Sequence, residues 1–184
     1  MAFNINEIKS QLTFGGARAS LFQVQITNPV NAIGDLKTPF MVQTAIIPAS
    51  TLGTIEVPYF VRKIKIAGDR TFEPWTVTII NDEELLIRNA MEDWMSSINS
   101  HEGNLRTLSS AATSEYKSQA TVTQYSKTGI PLRVYNFNGI FPSSIASIPL
   151  DWSTVDDVER FDVTFNYDWW NVDGGSTGDG GTNN

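Results

Sequence analysis

Apolar and polar residues alternate with a period of two along most of the chain. In "LFQVQIT" Phe22, Val24 and Ile26 share one face and Gln23 and Gln25 the other, which predicts a half-buried strand. Further strands are predicted over 40–47, 59–66 and 118–126 and in "LRVYNFNGIF". In "WTVTII" Trp75, Val77 and Ile79 oppose Thr76 and Thr78. The stretch "RFDVTFNYDWW" alternates most strictly, and predicts one strand with Phe161, Val163, Phe165, Tyr167 and Trp169 on its apolar face. A strand with one polar face suits an antiparallel sheet better than a buried parallel one. Between strands, Pro48 and Pro58 bracket a predicted loop from Ala49 to Tyr59, and "PSSIASIPLDWSTVDDVE" reads as a long link.

The period changes to helical at "NDEELLIRNAMEDWMSSI". Ile87, Met91, Trp94 and Ile98 form one stripe, widened by Ala90 and Met95. Asn81 is the expected N-cap and Glu84 its capping-box partner. Asp82, Glu83 and Glu84 sit where a helix N-terminus favours negative charge, a structural role that needs no chemistry. A second, short helix is predicted in "NINEIKSQL", where Ile5, Ile8 and Leu12 recur at helical spacing. About seven strands and one substantial helix predict a mainly β fold. It is an antiparallel sandwich or part-open barrel with one flanking α-helix. Residues 1–19 are expected to form an N-terminal arm, 20–172 the β domain, and 173–184 a flexible, Gly-rich acidic tail.

Composition narrows the function more than it identifies it. The chain has 184 residues, net charge −7 and no cysteine, so neither a disulfide framework nor a thiolate metal site is available. Residues 1–150 are balanced at twelve basic and twelve acidic side chains, and the whole excess lies after residue 150. No long basic patch is present for neutralising phosphates. The cluster Arg62, Lys63, Lys65 and Arg70 faces Asp69 and Glu73 and reads as half of an interface or a solvated face. No apolar run is long enough to cross a membrane as a helix. His101 is the lone histidine, and the nucleophile-elbow and phosphate-loop patterns are absent. Carboxylate pairs at Asp69 with Glu73, and at Asp156, Asp157 and Glu159, carry no mark beyond composition. No catalytic residue, metal ligand or cofactor site is assigned. Trp75 and Trp94 join Trp169 as expected core anchors. Trp152 and Trp170 fall outside clean core positions, which keeps a carbohydrate-binding sandwich module as an alternative.

The run "VRKIKIAGDRTFEPWTVTIINDE", Val61 to Glu83, resembles the central signature of the tail tube proteins of contractile-tailed bacteriophages. Supporting segments follow in matching order: "GARASLFQVQI", "EVPYF", "EYKSQATVTQYSKTG", "NGIFPSSIASIPLDW" and "VERFDVTFNYDWW". The similarity covers roughly 15–170. It departs at Ala19, where the family often has proline, and in the glycine-rich tail. Tubes of phage-like injection and secretion machines share the fold.

The resemblance implies six copies per ring, rings stacked into a hollow tube, and four strands per copy lining a continuous inner barrel. With about 24 strands roughly 4.8 Å apart and tilted roughly 40°, the backbone diameter is about 48 Å. Inward side chains leave about 38 Å, enough for B-DNA to pass. Strands around 40–47, 59–66, 118–126 and 132–138 are expected to form that wall. The resemblance points ring stacking to 49–59, with Leu52, Ile55, Glu56 and Val57 in contact. "IAGD" is expected to turn the chain out of a wall strand. Asp69 and Arg70 would pair across a subunit or within the turn, and Phe72 and Trp75 would anchor it. A corner without intersubunit contact stays open. Implied partners are further copies, the contractile sheath, baseplate initiator and terminator proteins, the tape-measure protein, and double-stranded DNA in transit without specific binding. Main-tube and baseplate-proximal positions are both compatible with the sequence.

Overall fold

A computed structural model describes residues 5–106 and 115–173. In chain order these hold α1 (Ile5–Gln11), β1 (Phe22–Ile26), α2 (Thr38–Met41), β2 (Val42–Ala45), β3 (Thr51–Tyr59), β4 (Arg62–Thr71) and β5 (Trp75–Ile80). They continue with α3 (Leu86–Ile98), β6 (Ser118–Tyr125), β7 (Pro131–Ile145), β8 (Arg160–Asn166) and β9 (Trp169–Val172). Seven strands form one antiparallel sheet in the order β1-β6-β7-β8-β5-β2, with β9 added beside β7. Among the described residues β3 and β4 pair only with each other.

The long strand β7 joins two layers. Its first part pairs with β6 and β9, and its last residues pair with β8. Between them Gly139 takes φ 68°, and a side chain there would collide with the Asp168 carboxylate, which Lys117 grips at 2.7 Å. Glycine is thus required where the strand changes partners. The layers meet in an aromatic core. Trp75 stacks on Phe137 at 4.4 Å, and Phe165 lies against both Trp75 and Trp94. Val24, Ile26, Val77, Ile79 and Val163 are fully buried around them. Each such side chain contributes about 1.5–3 kcal/mol on leaving water. Indole N–H groups stay satisfied: Trp75 donates to the Ile46 carbonyl and Trp94 to that of Tyr116, both at 2.8 Å.

α3 closes one side through the expected stripe, with Ile87, Ala90, Met91 and Trp94 buried. Its start differs from expectation. The Asn81 amide donates to Glu159 at 2.6 Å, so it does not cap, and the helix begins at Leu86 after Leu85 in a left-handed conformation. Asp82 accepts from the Leu86 amide instead, and Lys37 bridges Asp82 and Glu84. A tertiary partner for Asn81 outcompeted the local cap.

Three other expectations are corrected. The supposed loop 49–59 is mostly strand β3. "IAGD" lies inside β4, not at a turn. The final strand breaks at Tyr167–Asp168, so β9 restarts with opposite facing: Val172 is buried and Trp169 is 48% exposed, outside the core. At the N-terminus α1 buries no described residue, and the Lys127 ammonium donates to the Phe14 carbonyl in the segment after it. Of the expected tail, only Asp173 is among the described residues.

Candidate functional site

The outstanding surface is the β3–β4 hairpin. Its register pairs Ile55 with Ile66 and Val57 with Ile64, and sets Glu56 opposite Lys65 and Pro58 opposite Lys63. Since cross-strand partners share a face, one side of the ribbon is aliphatic and the other charged. On the charged side Lys63 reaches Glu56 at 2.7 Å. The aliphatic side has no cover among the described residues: Ile55, Val57, Ile64 and Ile66 are each 42–55% exposed. A two-stranded ribbon is marginal alone in water. An uncovered apolar face on such a ribbon marks a surface meant for another molecule.

Glycines shape its base. The register slips between Leu52 and Thr54, where Gly53 meets Gly68. A side chain on Gly53 would lie 3.1 Å from the Asp69 carbonyl, and one on Gly68 would lie 3.1 Å from Gly53. The bulge twists the ribbon relative to the domain. At the other end Phe60 and Val61 make a two-residue turn with φ 40° and 68°. Such turns favour Asn and Gly. A β-branched residue there is strained, yet Phe60 and Val61 stand almost fully in solvent.

The expected interface residues come together on this one hairpin. Leu52, Ile55, Glu56 and Val57 lie on β3, and Asp69 and Arg70 on β4. Leu52 pairs with Arg70 in register. Asp69 and Arg70 form no ion pair with each other among the described residues, so pairing within a turn is not what holds them. Of the anchors, Phe72 packs on Tyr167 at 5.9 Å, and Trp75 and Trp94 are buried. Sequence reasoning missed the tip, and it missed that Ile64 and Ile66 complete the aliphatic face. The signal was present in the alternation of 54–59 facing that of 62–66.

A second exposed surface lies at the opposite end of the central strands. β5 and β8 run antiparallel, with Trp75 beside Phe165 and Ile80 beside Arg160. The hairpin leaves from the Trp75 end, and the 149–159 loop enters from the Ile80 end. Leu150, Trp152, Val155 and Val158 are exposed on this loop among Asp151, Asp156 and Asp157. The Ser153 amide and hydroxyl donate to Asp151 and hold its carboxyl below the usual range. Asp157 pairs with Arg160 at 2.5 Å.

The remaining perturbed carboxylates have structural partners. Lys37 depresses the Asp82 carboxyl by hydrogen bonding and is itself raised by Asp82 and Glu84. Burial raises Asp35, partly offset by the Asn28 amide. Trp170 is partly buried against the core and donates to the Ala49 carbonyl, so it offers no free platform beside Trp152.

Known proteins resemble this chain in sequence and in fold. A family model described as phage tail tube protein matches residues 9–173. Tail tube protein gp19 of Enterobacteria phage T4 is 35% identical over 155 residues, covering 84% of this chain and 90% of that one. The tail tube protein of Serratia phage KSP90 is 27% identical over 168 residues, covering 89% and 93%. Among solved structures, the fold is similar to the tube-terminating cap of the anti-feeding prophage. That match has TM-score 0.61 and 17% identity, covering 85% of this chain and 89% of that one. It is also similar to the sheath/tube terminator structure of an extracellular contractile injection system, with TM-score 0.62 and 17% identity, covering 84% and 94%. The chain belongs to the phage tail tube protein family.

Proposed function

We propose that this tail tube protein works by polymerising. Six copies form a ring, each contributing its hairpin and adjoining strands to a shared wall, and rings stack into a conduit through which DNA leaves the virion. The observation that carries this reading is the hairpin, whose aliphatic face stays exposed among the described residues although the helix-backed core is complete without it. Joining copies edge to edge satisfies both needs, because a closed barrel covers the apolar face and removes unpaired strand edges.

The role is structural, without turnover. Sheath, terminator, baseplate and tape-measure proteins are the neighbours that a tail tube requires. The hypothesis is tested by mixing purified protein with a baseplate-like nucleus and imaging by negative stain. Stacked rings with a central channel are expected. Persistent monomers under every nucleating condition would refute it.

A further inference from the structure

We propose that Tyr167 and Glu73 form a latch at the root of the hairpin that closes only on assembly. When a neighbouring copy shuts water away from this root, the Tyr167 hydroxyl donates to the Glu73 carboxylate. The inference rests on the polymerisation reading and names the polar contact that ties the hairpin to its own domain once the wall forms.

Both roots of the hairpin rest on one corner of the domain, the break between β8 and β9. Ala49, shortly before β3, accepts from the Trp170 indole at 3.3 Å. Phe72, directly after β4, packs on the Tyr167 ring at 5.9 Å. The same ring stands edge-on to Phe137 at 5.0 Å, inside the aromatic core. Tyr167 therefore links one hairpin root to the centre of the domain.

The Tyr167 hydroxyl is buried and has no hydrogen-bond partner among the described residues. Buried hydroxyls are nearly always bonded, because losing water without a replacement is costly. Burial first, and the Glu73 charge second, raise this phenol above its ordinary range. Glu73 follows Phe72 in the chain, is exposed, and makes no ion pair among the described residues. Pro74 after it confines its backbone to extended conformations. The other carboxylate at this corner, Asp168, is already held by Lys117 at 2.7 Å.

In the free chain, water solvates the Glu73 carboxylate. A wall closed over the hairpin roots removes that water, and a carboxylate left unpaired there is costly. The Tyr167 hydroxyl is an uncommitted donor at the same root, and one bond satisfies both groups.

The latch is tested in the full-length chain, free and assembled on a baseplate-like nucleus. In the free chain Tyr167→Phe should leave the thermal midpoint unchanged or higher, because the lost hydroxyl has no partner to give up. In sedimentation the same variant should raise the critical concentration for tubes about tenfold, since it strands the Glu73 charge in a dry contact. Adding Glu73→Ala should bring that concentration back to within about twofold of wild type, because the stranded charge is gone. A cryo-electron map of wild-type tubes should place the hydroxyl oxygen within about 3 Å of the carboxylate. A lower midpoint for the free Tyr167→Phe chain would mean that the hydroxyl is already bonded before assembly. That result, undiminished assembly of Tyr167→Phe, additive losses in the double variant, or a map with the two groups apart would each overturn the latch alone. Wild-type protein that never forms tubes would instead overturn the reading beneath it.

Discussion

Val61 concentrates the logic of this chain in one side chain. Its φ of 68° costs about 1–2 kcal/mol for an L-residue, while its side chain stays in solvent beside the edge-on contact of Phe60 with Tyr59. Val61→Gly should raise hydrogen-exchange protection of the hairpin amides about fivefold in the unassembled chain, while weakening assembly. Weaker protection would show that the turn is unstrained. Lys37 makes the opposite case, a residue whose contacts lie wholly within the fold. Asp82 is depressed in the folded chain, so its contribution is present above the ordinary aspartate pKa and fades as pH falls through the folded value. Lys37→Met should return the Asp82 pKa toward its ordinary value in an NMR titration, and move the acid limb of unfolding to higher pH. An unchanged titration would mean that Lys37 does not hold Asp82.

The elements divide by how much of their environment is local. β1, β5, β8 and the α3 stripe were legible because burial on one face imposes period two or 3.6, and their core residues lie where the pattern placed them. β3 reads as a loop because Pro48 and Pro58 bracket it, yet the strand carries both Pro58 and, at its bulge, Gly53. Both are tolerated on a ribbon whose outer edges face solvent. The start of α3 and the facing of Trp169 were not legible, since one depends on Glu159 capturing Asn81 and the other on a break after Asn166. The six suspected interface residues were placed by family resemblance, and only pairing of β3 with β4 shows that they share one ribbon. Because that ribbon pairs with no other described strand, Asp69→Arg should leave the thermal midpoint within about 2 °C while reducing tube yield several-fold in sedimentation. Equal loss of both would place Asp69 in the fold alone.

Taken as one body, the molecule has a finished core and an unfinished surface. Its aromatic centre and α3 stabilise the domain, while the aliphatic face of the hairpin and the apolar side chains of the 149–159 loop stay exposed among the described residues. The acidic excess after residue 150 falls partly on that loop and partly in 173–184. Removing 173–184 should leave tube formation intact by electron microscopy, because the ribbon, the sheet and the loop precede it; loss of tubes would assign the tail a role in assembly. The most direct measurement is a cryo-electron map of the assembled polymer, sharp enough to trace the hairpin. The account predicts Ile55, Val57, Ile64 and Ile66 buried against a neighbouring copy within a closed wall. A polymer whose hairpins project free into solvent, with the wall closed by other strands, would contradict it.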